Sequence, residues 1–251
     1  MRQKSNLLRK ARSLRDAAPM LRKLIPFMLS VVLATLLLAV ALLPVHAASA
    51  LVQQNNVECS SCSSTLSVSF TSNVASGDVI VVGVVIADAS FTLSSLTDSL
   101  SSSFTQSITS TNVPPPTIYI FYATLSSSGA DIVTAAFSAA APAESVYIYE
   151  VSGVNTTGVA TATGSGVGTS ISTSLPVTFQ AGAFLLGIIA TNSFEGTATA
   201  GTGFTPSADN SGTGVTHAQY SISGITSSTN FPATTNSVVS WVEDGIALMP
   251  I

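Results

Sequence analysis

From Leu24 to Ile251 the chain contains no lysine and no arginine. All eight basic side chains fall before residue 24, while eleven of the twelve carboxylates fall after it. A fold built from this body has no Lys or Arg with which to pair its acids, and at neutral pH those acids repel one another. It must be held by apolar packing and neutral hydrogen bonds. In strong acid the carboxylates discharge and the repulsion disappears, so the composition suits an acidic exterior. The same feature closes several functions. Neutralising phosphates takes Lys or Arg, so nucleic-acid binding is excluded. Chemistry that needs a Lys base, a Schiff base or an Arg clamp is excluded with it.

The basic stretch 1–23 runs into an uncharged, apolar stretch at 24–44, followed by small residues at Val45-His46-Ala47 and Ala48-Ser49-Ala50. That order predicts a secretory signal peptide over 1–50 with an N-terminal helix, cleaved after Ala47 or Ala50. The apolar run is also long enough to remain as an uncleaved anchor. Either way the basic cluster stays inside, and the body lies outside the cell or on its surface. Membrane contact is then through the leader alone.

Beyond the leader, 65 of the 204 residues from Ala48 to Ile251 are Ser or Thr. The apolar residues are nevertheless gathered into short runs rich in β-branched and aromatic types. These are Thr65–Thr71, Val79–Ala87, Thr117–Leu125, Ile132–Phe137, Ser145–Val151, Ser170–Thr178, Ala183–Thr191, Thr216–Ile222 and Ser237–Leu248. Gly, Ser, Asn, Asp and Pro separate them. Leu66, Val68 and Phe70 alternate with Ser, the period of a half-buried strand. The pattern predicts an all-β fold, a two-sheet antiparallel β-sandwich or jelly roll over 65–251, preceded by a polar tail at 51–64. An internal echo runs through it. Ala75–Ala87 reads like Gln180–Ala190, Phe104-Thr-Gln like Phe204-Thr-Pro, and Ser145–Glu150 like Val239–Glu243.

Few residues offer chemistry. Cys59-Ser-Ser-Cys62 is the only cysteine pair; in an exported chain with no second pair it is a disulfide candidate rather than a zinc or redox site. Glu150 and Glu243 hold matching places in the echo, and two facing carboxylates are the minimum equipment of a glycosidase. His217 is the body's one histidine and sits in a strand pattern with no nucleophile elbow nearby. Gly164-Ser-Gly-Val-Gly168 lacks the Lys of a phosphate loop and reads as a surface loop. Asp88, Asp98, Asp131 and Asp209 stand singly, without calcium-loop spacing. Asn155-Thr-Thr157 is an Asn-linked glycosylation candidate. Neither a cofactor motif nor a dedicated metal site emerges.

In layout and composition over 24–251, this chain resembles the secreted filament subunits of archaea, the thread and bundling-pilus proteins. Their sandwiches are completed by a strand donated from the next subunit. The resemblance implies a non-enzymatic structural protein that forms a homo-oligomer or homopolymer by strand addition. The donated strand would be Ala48–Ser64, alone or together with Thr65–Thr71. A carbohydrate-binding, lectin-like adhesin for surface glycans is the second expectation, and a glycosidase using Glu150 and Glu243 the third.

Overall fold

The computed structural model describes residues 49–88, 90–111, 116–140, 143–175, 181–192, 198–209, 216–222 and 230–251. The helix expected in the leader falls within residues 1–48 and lies outside the described residues. Everything described is strand or connection, with no helix, and every strand pairing is antiparallel.

The first half of the body holds β1 (Ala50–Cys59), β2 (Thr65–Ser69), β3 (Val79–Ile86), β4 (Leu93–Asp98), β5 (Thr105–Thr111), β6 (Thr117–Thr124), β7 (Ile132–Phe137) and β8 (Glu144–Ser152). They form a five-stranded sheet, β1-β8-β3-β6-β5, and a three-stranded sheet, β2-β7-β4. The second half holds β9 (Val154–Ser174), β10 (Phe184–Thr191), β11 (Ala198–Ala200), β12 (Thr205–Asp209), β13 (Thr216–Ser221) and β14 (Asn230–Pro250). Its main path runs β9-β14-β10-β13-β12, with β11 on the early part of β14.

The second half repeats the first. β10 lies between β14 and β13 as β3 lies between β8 and β6. β9 flanks β14 as β1 flanks β8. Gly77 and Gly182, which open β3 and β10, both take positive φ, 94° and 88°, where a side chain would be strained. The bulges agree as well. β5 slips against β6 between Gln106 and Ile108, and β12 slips against β13 between Pro206 and Ala208. At each slip a serine hydroxyl donates to the facing strand: Ser107 Oγ to Ile120 O at 3.0 Å and Ser207 Oγ to Ala218 O at 3.3 Å. The echo in the sequence is therefore a structural repeat, and the body is all-β and antiparallel, consistent with the expected β-sandwich, its two large sheets coming one from each repeat.

The stacking follows from which face each residue takes. Val79, Val81, Val85, Tyr147, Tyr149 and Val151 point from the first five-stranded sheet into one core with Phe184, Leu186, Ile188, Val242, Ile246 and Leu248 of the second. The alternate residues Ile80, Val82, Val84, Val146 and Ile148 point the other way, onto Val68, Val133, Ala135 and Phe137 of the small sheet. Strands buried on both faces read as continuous apolar runs, which is why β3 and β10 show no alternation. In the second half the outer layer is made by β14 itself. Its register breaks between Thr234 and Val239, and its early part folds back so that Phe231 covers Gly187 and Gly245. A Cβ on Gly187 would stand 2.9 Å from the Phe231 ring, so the missing side chain is what admits the aromatic cover.

Two expectations change here. Residues 50–59, expected in a polar tail, are an edge strand of the chain's own five-stranded sheet, paired to β8 from Ala50↔Ser152 to Cys59↔Glu144. Gly164–Gly168, read as a surface loop, lies inside β9. Gly166 pairs with Trp241 and leaves room for its indole, with a Cβ position 2.8 Å from Cζ2, while Gly164 makes room for Thr173. These glycines serve close packing inside a strand.

Candidate functional site

Two features of the body offer themselves for interaction: its free sheet edges, and the clasp that holds one of them. β9 pairs only with β14 and β1 only with β8 among the described residues, so each presents an unpaired backbone edge. β9 is 21 residues long and contains neither a charged residue nor a proline. Its pairing runs unbroken from Ala160↔Ala247 to Gly168↔Val239, and Val167 on this run is 75% exposed. Because β1 and β9 are equivalent in the repeat, the edges belong to opposite sheets of the stack.

The polar residues that made β1 look like a tail are the ones that fasten it. Asn55 Nδ2 donates to Ser69 O at 2.8 Å. Gln53 reaches further. Its Nε2 donates to Glu150 Oε2 at 2.7 Å and to Ser72 O at 3.1 Å. Its Oε1 accepts from Thr71 Oγ1 at 3.1 Å, Ser72 Oγ at 3.1 Å and the Ser72 N–H at 3.0 Å. Glu150, wholly buried, also accepts from the Ala75 N–H at 2.7 Å. Asp78 lies beside it. Burial, then the Glu150 charge and a hydrogen bond with Glu150, raise the Asp78 carboxyl above its usual range.

The structure does not bring Glu150 and Glu243 together. Both are fully buried, and each points away from the shared core: Glu150 toward the β2–β3 connection, Glu243 toward the fold-back of β14. Nor are their positions equivalent. Ile80 pairs with Glu150, whereas its counterpart Leu185 pairs with Ala247. Two sheets stand between the carboxylates, so they cannot flank one glycosidic bond. Glu243 Oε1 accepts from Gln219 Nε2 at 3.4 Å. Its carboxyl is pushed up to about 8 by burial, against hydrogen bonding from Thr173 and Gln219 and with a further rise from the Asp244 charge. Asp244 is raised to about 6 by burial, against hydrogen bonds from Thr163 and Ser110.

Cys59 and Cys62 are joined in a disulfide, Cα atoms 5.4 Å apart, at the turn that takes the chain from β1 to the small sheet. Glu144 lies against them with its carboxyl raised to about 7 by burial. With both sulfurs bonded to each other this group offers one carboxylate, too little for a metal. His217 is buried on β13, paired with Ile189. Asp88, Asp98 and Asp131 each accept a nearby N–H, from Ser90, Ser102 and Ser99 respectively. Asp209 closes β12. Asn155 turns its Nδ2 onto the carbonyls of Met249 and Pro250, at 3.4 and 3.2 Å. Between β1 and β12 lies a polar groove of about 120 Å³, lined by Gln54, Asn55, Asn56, Tyr147, Tyr149 and Ser207. The tyrosine hydroxyls at its floor are already engaged, Tyr147 with Thr216 at 2.6 Å and Tyr149 with Ser207 at 2.5 Å.

No protein-family model matches the chain, and no curated protein matches it. Among solved structures, a chain from Red Clover Necrotic Mosaic Virus aligns over 80% of each chain at 15% identity with a TM-score of 0.22, a level from which no shared fold follows.

Proposed function

We propose that this protein is an exported, non-enzymatic structural subunit of a cell-surface filament or matrix, assembling through its free sheet edges. The observation that carries the reading is β9, a long edge without charge or proline. Exposed edges are normally blunted by lysine, proline or cover because they template pairing with another chain. An edge left open over this length is suited to a partner, and the fitting partner is the β1 edge of a second copy. A contact between two different edges is head-to-tail and propagates without closing. Strand addition remains the mode, but the added strand stays in its own sheet and is not lent to a neighbour.

A sugar-binding surface is less well supported. No aromatic side chain is among the exposed large hydrophobic residues described, and Trp241 lies over Gly166, so a stacking platform is missing there. The test is direct. The processed chain, concentrated near about pH 4, where carboxylates begin to discharge, is imaged by negative-stain microscopy and sedimented. Polymers of uniform width are expected. A monomer that persists at high concentration overturns the reading.

A further inference from the structure

Gln53 sits in more chemistry than fastening a strand requires. We infer that Gln53 and Thr71 become joined by an intramolecular ester that fixes β1 to the connection after β2. A carboxamide is an acyl group with a poor leaving group. Three things make it reactive: a hydroxyl at its carbonyl, donors for the charge that develops on its oxygen, and an acid at its nitrogen. All three meet here. Thr71 Oγ1 lies 3.1 Å from Gln53 Oε1. The Ser72 N–H and hydroxyl, at 3.0 and 3.1 Å, hold the oxygen where an oxyanion would form. Glu150 Oε2 lies 2.7 Å from the nitrogen that must leave.

The buried Glu150, with the half-buried Asp78 against it, is the part that mere fastening leaves unexplained. A glutamine can hold an edge strand through backbone groups alone, as Asn55 does on Ser69. Placing Asp78 against Glu150, in a body with no Lys or Arg, is unfavourable unless a proton sits between them. The proton rests with Asp78, and Glu150 Oε2, which accepts from Gln53 Nε2, is the oxygen through which the pair can pass it to the leaving nitrogen.

The step balances without oxidant or reductant. The Thr71 Oγ1–Gln53 Cδ bond forms and the Cδ–Nε2 bond breaks. The acid pair hands a proton to the departing nitrogen, which leaves as ammonia, and the proton lost by the Thr71 hydroxyl returns to the pair. Cross-links that consume a lysine amine are closed to this body, which has none. Hydroxyl and carboxamide are the partners left to it. The cross-link does not depend on assembly, and either can fail without the other.

Intact-mass spectrometry of the full chain, exported and processed, tests the inference. The expected mass is lower by one ammonia than that of the processed chain with its disulfide formed. Hydroxylamine should open the link and leave a hydroxamate at residue 53. Digestion with an acid protease should give one species carrying both residue 53 and residue 71. Thr71→Ser should retain the link and Thr71→Val, at an exposed position, should abolish it. Glu150→Gln should slow it on the order of a hundredfold, the usual weight of a general acid. A folded, disulfide-bonded chain that has lost no ammonia overturns the inference, as does an ammonia loss that persists in Thr71→Val.

Discussion

Gly83 and Ile188 occupy the same position in the two halves of the repeat and pack against each other across the central core. The register fixes the equivalence. Val81 pairs with Tyr122, and Tyr122 with Thr105; Leu186 pairs with Tyr220, and Tyr220 with Thr205. Val81 thus matches Leu186, and two residues further on Gly83 matches Ile188. Residues that meet their own counterparts lie on the pseudo-twofold axis, where two large side chains cannot share one space. Here one is large and the other absent: any Cβ on Gly83 would run into Ile188 Cδ1. Gly83→Val is therefore expected to destabilise the body by about 1–3 kcal/mol or more through overpacking. Ile188→Ala alone should cost about 2–5 kcal/mol. Combined, the two should cost less than their sum. Denaturant unfolding of all four proteins gives the coupling; strict additivity would place the residues out of contact.

The pH response should be the reverse of the common one. Burial raises Glu243 to about 8, Glu144 to about 7 and Asp244 to about 6, and Asp78 is raised with them. The folded state then holds protons that the unfolded chain has already released. The stability these groups contribute is full below their ordinary values of 4.5 for Glu and 3.8 for Asp, and it is lost as pH rises through the folded values. Melting temperature should fall steadily from about pH 4 to about pH 8. Glu243→Gln should reduce that slope and be the more stable protein at the upper end, each unit of differential titration being about 1.4 kcal/mol. A melting temperature that rises over the interval would mean that stabilised carboxylate anions dominate.

The apolar runs made most of the strands legible. β3, β6, β8, β10 and β13 stand where clusters of Val, Ile, Tyr and Phe placed them, because a strand largely buried on both faces must be apolar along most of its length, while β2 and β7 showed as short runs with one face covered. The strands not legible were β1, β4, β5, β11, β12 and the first part of β9. Polar and small residues interrupt their few apolar ones, and they belong to strands only because a neighbour supplies the pairing and the cover. The repeat showed in Gly77 and Gly182 and in Phe104-Thr and Phe204-Thr, since turns and bulges constrain sequence locally. The match of Glu150 to Glu243 misled, because two strands of similar character carry no mark of register. The Gln53 clasp was not legible. Its parts come from residues 53, 71, 72, 78 and 150, and only the pairing of β1 with β8 brings them together.

The disulfide should stabilise the junction between sheets modestly. It closes a loop of four residues, Cys59 to Cys62, and a loop so short removes little entropy from the unfolded chain. Replacing both cysteines with serine is expected to cost about 2 kcal/mol. Hydrogen exchange should locate the loss at the end of β1 and the start of β2. Loss of the entire fold on reduction would give the bridge a far larger part than loop closure allows.

Charge placed on the β9 edge should separate folding from assembly. Val167 is the exposed apolar residue on its unbroken run, and nothing in the core depends on it. A lysine there is the device by which edge strands avoid pairing. Val167→Lys is therefore expected to change unfolding stability by less than about 0.5 kcal/mol, as surface substitutions do. The same change should abolish polymers, because a neighbouring strand would have to bury the ammonium group beside its own backbone. Val167→Thr, with similar shape and no charge, should assemble. On the other edge, Val52, 51% exposed on β1, is the matching site, and Val52→Lys should act in the same way. Mixing the two lysine variants adds a further constraint. Each retains one intact edge, so a head-to-tail contact predicts dimers from the mixture and no longer species, readable by sedimentation. Long polymers from Val167→Lys alone would remove β9 from the interface, and long polymers from the mixture would show that the edges pair with themselves.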